Sequence, residues 1–145
     1  MLRELMFAFA VVAVCVVIHT TGLVVFTEWL LRNRSKIEKR PGLVSQALLL
    51  ILMFFFIIIL HVLETGIWAA FYLHRELFSD FETSLYFSLV SYTTIGYGDV
   101  VLPQNWRLLG GVEGISGVLL CGISTAFFFA YVSGLFQIRV QSKAS

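Results

Sequence analysis

Three long apolar stretches constrain this chain more than any other feature of its sequence. They cover about residues 5–31, 43–72 and 108–136. Each is longer than the roughly 20 residues that cross the hydrocarbon core of a bilayer as a helix. Only 13% of all residues are charged, whereas a soluble globular domain averages about 25%. The sequence therefore predicts an all-α membrane protein with three transmembrane helices.

The first stretch follows Arg3, as the core of a cleaved signal peptide would. Its apolar run is longer than the roughly 7–15 residues of such a core, and no small-residue cleavage pattern follows it. We therefore expect residues 1–31 to form a retained transmembrane helix. Its expected place is the periphery of the protein, packed on the second helix of its own or a neighbouring subunit.

Charged residues are distributed unevenly between the stretches. The linker at residues 32–42 carries five basic residues against one acidic residue, and residues 139–145 carry two basic residues. Residues 75–107 carry two basic residues against four acidic ones. Basic loops stay on the cytoplasmic side of a membrane. We therefore expect a multi-pass protein of the cell membrane with a cytoplasmic linker and C-terminal tail, and with the N-terminus and residues 93–99 outside.

A segment too short to cross a membrane separates the second and third stretches. Ser79 and Glu82 have the spacing of a capping box, and residues 83–92 are helix-compatible and mostly apolar. Ten residues of helix measure about 15 Å, roughly half of a bilayer core. The sequence therefore predicts a re-entrant helix that enters from the outside. The irregular backbone after it must be buried in protein or line a watery cavity.

Glycines alternate with larger residues in that irregular segment, which reads T-T-I-G-Y-G-D over residues 93–99. Glycine adopts a positive φ without steric cost, so this alternation lets successive carbonyl groups point the same way. Carbonyl groups from several subunits that face one axis can replace the water around a bare cation. The pattern indicates a cation pore built from several copies of the chain.

With these features the chain resembles the tetrameric potassium channels, and most of all the short prokaryotic ones with an outer helix, a pore helix, a filter and an inner helix. The resemblance covers residues 43–138 as a pore domain, with residues 139–145 as a short tail. It implies a re-entrant pore helix and selectivity filter in each subunit of a homotetramer in the lipid bilayer. It also implies passive conduction of K⁺ and no small-molecule substrate other than monovalent cations.

The resemblance implies a role for each residue of the filter. The carbonyl groups of Thr94, Ile95, Gly96, Tyr97 and Gly98 would ligate K⁺, and the Thr94 hydroxyl would form the innermost site. Ile95 replaces the valine of the T-V-G-Y-G filter, but its side chain would face away from the ion. Tyr97 would point outward and brace the filter.

The scaffold behind the filter departs from the family pattern. Tyr86 and Phe87 stand where many members carry tryptophans. Because Phe87 cannot donate a hydrogen bond, we expect Ser91 to donate one to Tyr97. Asp99 would lie at the outer mouth, within reach of Tyr86.

Glu113 is an ionisable residue inside the third stretch, about one turn past its start. Such residues are costly in a membrane and usually functional. We expect Glu113 to hydrogen-bond to the pore helix or the filter scaffold, with Glu64 in the same cluster. The alternative for both residues is that the carboxyl group snorkels to the membrane interface.

Small residues are frequent along the third stretch. Gly122 lies where family members bend the inner helix, so it is either a gating hinge or a site of close helix contact. For most of the others, namely Gly110, Gly111, Gly114 and Gly117, close packing is the better interpretation.

His19 and His61 lie within the first and second stretches. Histidine titrates near neutral pH, so a pH-sensing role competes with a neutral packing role. The predicted depths of His19, His61 and Glu64 differ, so we expect neither an enzyme active site nor a metal site. Cys15 and Cys121 lie within apolar stretches and are expected to be reduced.

The expected function is therefore that of a potassium-selective channel. The first stretch has no ladder of basic residues, which argues against a voltage sensor, and the short tail argues against a soluble ligand-binding domain. Two alternatives stay open: a weakly selective cation channel with the same fold, and a non-conducting scaffold or sensor subunit. A net charge of +1 gives no indication of a nucleic-acid partner.

Overall fold

The described residues, 2–38 and 43–144, form helices and connecting segments with no β-strand in a computed structural model, and side chains are described for residues 2–33 and 44–134. The helices are α1 (Leu2–Glu38), α2 (Leu43–His74), α3 (Phe81–Tyr92) and α4 (Arg107–Ala144), and a short 3-10 helix covers Gln104–Trp106. The predicted all-α class is confirmed.

Three segments are long and apolar enough to cross a membrane: Leu2–Asn33, Val44–His74 and Gln104–Gly134. The chain is therefore a multi-pass membrane protein. The α1 helix continues to Glu38, into the region expected to be a linker. The basic side chains of residues 34–40 and 139–145, on which the expected orientation partly rests, lie outside the described side chains.

One stripe of α1 is buried against the rest of the chain. Its buried residues recur every three or four positions, as one face of a helix requires, and they are Ala8, Val11, Cys15, His19, Leu23 and Phe26. The stripe contacts both α2 and α4 of the same chain. Its contact with α4 was not expected from the sequence, which indicated packing on the second helix alone.

The α3 helix begins with Asp80 as its N-cap. The Asp80 carboxylate accepts hydrogen bonds from the Thr83 N–H at 2.7 Å and the Thr83 hydroxyl at 2.9 Å, and these bonds lower its pKa. Ser79 donates its own hydroxyl to Asp80 at 2.8 Å. The predicted capping box of Ser79 and Glu82 is therefore wrong by one position, because a charged carboxylate is a stronger acceptor than a hydroxyl.

The buried face of α3 consists of Ser84, Phe87, Ser88 and Tyr92. The small serines let α3 lie close to α2, and the Ser88 hydroxyl lies 2.9 Å from the Thr65 carbonyl oxygen. The Phe87 ring packs edge-on against Tyr72, with 5.3 Å between the ring centroids. One side of α3 is thus fixed by contacts inside a single chain.

Three glycines of α4 let the C-terminal end of α3 approach closely. A Cβ atom at Gly117 would collide with the Tyr92 carbonyl group, and one at Gly114 would lie 3.1 Å from the Ser91 carbonyl oxygen. A Cβ atom at Gly110 would lie 3.3 Å from a side chain of α3. The packing interpretation is confirmed for these three positions.

Replacing Gly117 by alanine should lower the free energy of unfolding by about 1–3 kcal/mol, the usual cost of overpacking. The added methyl group meets backbone atoms of Tyr92 that cannot rotate away. Reversible unfolding in mixed detergent micelles, followed by circular dichroism, measures the change. The matched control is Gly66→Ala on α2, where an added Cβ meets nothing within 4 Å. Equal effects of the two substitutions would contradict the packing argument.

Candidate functional site

The backbone that follows α3 alternates in conformation. The φ angle is +59° at Thr94, +58° at Gly96 and +78° at Gly98, whereas Ile95 and Tyr97 are not among the described residues with positive φ. A positive φ costs glycine nothing but costs another L-residue about 1–2 kcal/mol. An alternation of this kind lets successive carbonyl groups face the same side of the chain.

Hydrogen bonds tie the start of this segment to the end of α3. The Thr94 N–H donates to the Ser91 carbonyl at 3.0 Å, and the Gly96 N–H donates to the Val90 carbonyl at 3.2 Å. The segment therefore begins where the partial negative charge of the α3 dipole lies.

Residues 93–99 are exposed in the single chain. Ile95 is 55% exposed and Tyr97 is 70% exposed, although both carry large apolar surfaces. A groove beside the segment is lined on its α4 side by apolar residues that are also exposed: Ile115, Val118 and Leu119. The segment and this side of α4 therefore border one open groove.

Tyr86 and Asp99 meet beside this segment. The Tyr86 hydroxyl donates a hydrogen bond of 2.6 Å to the Asp99 carboxylate. This bond lowers the pKa of Asp99 and raises the pKa of Tyr86. Ser91 lies toward Gly110 and Tyr97 is largely exposed, so the bond expected between them does not form within the described part of a single chain.

Glu113 is fully buried behind α3. It accepts a hydrogen bond from the Tyr72 hydroxyl at 2.6 Å and lies 2.5 Å from the Ser88 hydroxyl. Ser88 has one hydrogen, and the Thr65 carbonyl, 2.9 Å away, can only accept it. A protonated Glu113 that donates to Ser88 satisfies every one of these groups. The structure thus places Glu113 against α3, and burial excludes snorkelling to the interface.

Glu64 lies in a second buried cluster. Its carboxyl group is 2.7 Å from His19 Nδ1 and 3.0 Å from His61 Nδ1, and it accepts a hydrogen bond from the Tyr92 hydroxyl. The expectation that Glu64 joins Glu113 is therefore wrong.

The expectation that His19, His61 and Glu64 lie at different depths is also wrong, because helix packing and not hydropathy sets the relative height of α1 and α2. One nitrogen or oxygen atom from each of these residues lies within 4.8 Å of the other two. That spacing would suit a metal ion, but hydrogen bonds among these same atoms account for it, and the cluster is a hydrogen-bond network. The only sequence signal for it was the spacing of three between His61 and Glu64, which puts both on one side of a helix.

Gly122 has no atom within 4 Å of an added Cβ, and α4 runs through it without a break. The alternative of a close helix contact at Gly122 is therefore not seen within the described chain. Cys15 and Cys121 are both free.

A family model described as "Ion channel" matches residues 47–134. The chain belongs to this ion-channel family. Two proteins to which the chain is similar are named as potassium channels. The calcium-gated potassium channel TvoK of Thermoplasma volcanium is 40% identical over 62 residues, which are 42% of this chain and 17% of the relative. The TWiK family of potassium channels protein 18 of Caenorhabditis elegans is 41% identical over 66 residues, which are 46% of this chain and 13% of the relative.

The chain thus matches less than a fifth of the length of either relative. No solved structure matches it. The family match identifies the chain as a member of an ion-channel family and not of an enzyme family.

Replacing Tyr86 by phenylalanine should raise the pKa of Asp99 toward its ordinary value, because the substitution removes the hydrogen bond to its charged form. The stabilisation from this bond is complete above the ordinary pKa and is lost as the pH falls through the lowered one. NMR of the carboxyl carbons in protein labelled with ¹³C-aspartate measures the pKa of Asp99 in the wild type and in the variant.

Asp80 and Asp99 are the two aspartates of the chain, so Asp80 is an internal control whose pKa should stay unchanged. An Asp99 titration identical in wild type and Y86F would contradict this role for Tyr86.

Proposed function

We propose that this chain forms a homotetrameric channel in the cell membrane that conducts K⁺ passively through residues 94–98. The observation that carries the proposal is the alternation of positive φ at Thr94, Gly96 and Gly98 in a member of an ion-channel family. Carbonyl groups that face a common axis can replace the hydration shell of K⁺. The Thr94 hydroxyl forms the innermost of these sites.

The exposed surfaces support assembly around an axis. One chain contributes one wall of carbonyl groups, so coordination of a central ion requires several copies. The exposed filter residues and the apolar side of α4 lie next to each other. A head-to-tail interface between unlike surfaces closes into a ring when the rotation permits, and such a ring covers both surfaces.

Charge supports the cation as the permeant species. The C-terminal end of α3 points its partial negative charge toward the start of the filter. Asp99 carries a carboxylate that its bond with Tyr86 keeps ionised, and we place it at the outer mouth. The uneven loop charges support an external filter and a cytoplasmic C-terminus.

Glu113 has a supporting role in this proposal. It joins Tyr72 of α2 to Ser88 of α3 from its own position on α4. The three helices that surround the filter in one chain are therefore linked through a single carboxyl group. We assign Gly122 as the hinge of α4, since an added Cβ there would meet no atom of the described residues within 4 Å.

The purified protein in liposomes should show a reversal potential close to the potassium equilibrium potential under opposing K⁺ and Na⁺ gradients. Gly96→Ala should abolish this selective current, because alanine is strained at a φ of +58°, whereas Gly66→Ala should preserve it. A reversal potential near zero with measurable current would indicate a weakly selective cation channel. Correctly folded wild-type tetramers without current would indicate a non-conducting subunit.

Glu113→Gln should preserve selectivity, because the amide donates to Ser88 and accepts from Tyr72 as the protonated acid does. Glu113→Leu leaves the Tyr72 hydroxyl without its acceptor, which costs about 1–3 kcal/mol, whereas Ser88 keeps its bond to the Thr65 carbonyl. We expect the leucine variant alone to lose tetramer stability and K⁺ over Na⁺ selectivity, measured by thermal dissociation and bi-ionic reversal potentials. Tetramer stability and selectivity equal to wild type in the leucine variant would contradict the supporting role of Glu113.

A further inference from the structure

Five buried or partly buried side chains close a continuous ring of hydrogen bonds. From Glu64 the ring passes to His19 Nδ1 at 2.7 Å, and from His19 Nε2 to the Ser124 hydroxyl at 3.1 Å. Ser124 lies 3.1 Å from His61 Nε2, and His61 Nδ1 lies 2.9 Å from the Tyr92 hydroxyl. The Tyr92 hydroxyl returns to the second oxygen of Glu64. The ring therefore joins α1, α2, α3 and α4.

Most of the ring is buried. His19 and Glu64 are fully buried, Tyr92 is 2% exposed and Ser124 is 4% exposed. The His61 side chain is 18% exposed and borders a groove. Buried polar groups without a partner cost about 1–3 kcal/mol each. Each link of the ring therefore depends on having one hydrogen between its two atoms.

The number of hydrogens matches the number of links when the ring has no net charge. The ring has five links. A protonated Glu64, two neutral imidazoles, one tyrosine and one serine supply one hydrogen each. A Glu64 carboxylate beside one imidazolium supplies the same total. Both forms are neutral overall, and both satisfy every link.

One additional proton breaks this match. With six hydrogens, one hydrogen has no link of its own, so it either faces a second hydrogen or points out of the ring without an acceptor there. The ring then carries a net positive charge among largely buried groups, which is costly. Acid therefore opens the ring.

Other titratable groups face the ring from the helices packed against it. Among the described residues these are Cys15, whose sulfur is 4.0 Å from the Glu64 carbonyl oxygen, and Cys121, whose sulfur is 3.8 Å from His61 Nε2. Glu113 on α4 is already hydrogen-bonded to Tyr72 and Ser88. Neither thiol supplies an opposite charge that would compensate an additional proton.

Tyr92 connects the ring to the segment at residues 93–99. Tyr92 is the last residue of α3, its carbonyl group packs against Gly117, and the filter segment begins directly after it. We propose that this ring is a proton-sensitive latch, which fastens α1 and α4 to the end of the pore helix while it is neutral and releases them when it gains a proton. Its effect on current rests on the proposed function, but the latch itself does not.

Imidazole ¹⁵N NMR of the protein in lipid nanodiscs between pH 5 and 8 tests the latch directly. His19 and His61 should titrate as a coupled pair, whereas His74 is outside the ring and serves as the internal reference. Ser124→Ala removes the bridging hydroxyl without changing a titratable group. It should weaken the coupling of the two histidines, which then remains only through Glu64. The matched control is Ser116→Ala, since Ser116 is a buried hydroxyl on the same helix that bonds only to its own backbone at Glu113.

Current through wild-type channels should fall on acidification, by at most about tenfold per pH unit for each ring, because one proton is taken up. In S124A this pH dependence should be reduced, because the ring is broken at one residue, and in S116A it should be unchanged. Independent titration of His19 and His61 in the wild type would overturn the latch. A pH profile in S124A that matches the wild type would overturn its effect on conduction. Absence of current at every pH contradicts the proposed channel function instead, and the NMR result still decides the latch.

Discussion

The end of the pore helix is held by hydroxyl groups that bond to carboxyl groups away from water. Ser88 meets Glu113 from α4, and Tyr92 donates to Glu64 from α2. In a membrane no solvent can replace such a bond, so losing one leaves a buried polar group unsatisfied. Residues 93–99 begin directly after Tyr92. Their position therefore depends on these two bonds as well as on the hydrogen bonds that the segment makes itself.

The two sides of the pore helix are built differently. Its back is packed inside one chain, where glycines at positions 114 and 117 let α4 reach the backbone of α3. Its front and the filter remain exposed, with large apolar side chains such as Tyr97 uncovered. Rigid support from behind and an open surface in front are what the proposed assembly around an axis requires of this element.

The first helix is more closely integrated than a peripheral addition would be. His19 lies on its buried stripe and takes part in the same network as Tyr92. Gly22 brings α1 near α2, since a Cβ there would lie 2.7 Å from the Leu60 side chain. A movement of α1 can therefore reach the end of the pore helix through hydrogen bonds, without passing through the filter.

Much of this architecture could be predicted from the sequence, because it follows from local chemistry. The lengths of the apolar stretches determine three spans, and the short helix before residues 93–99 cannot cross a bilayer. The glycines at positions 96 and 98 permit the positive φ angles that the structure shows. The hydrogen bond between Tyr86 and Asp99 could also be anticipated, because residues 93–99 run back along the helix that carries Tyr86.

The sequence by itself therefore determined the membrane class, the number of spans and the positive φ angles at Gly96 and Gly98, since each depends on neighbouring residues alone. Only the tertiary structure decided that Glu64 joins His19 and His61 and not Glu113. Residues 19, 64, 92 and 124 belong to different helices, and no local rule sets how far one helix slides or turns against another. Close approaches at Gly22 and Gly117 set those positions, and they bring together a ring of polar groups that is invisible along the chain.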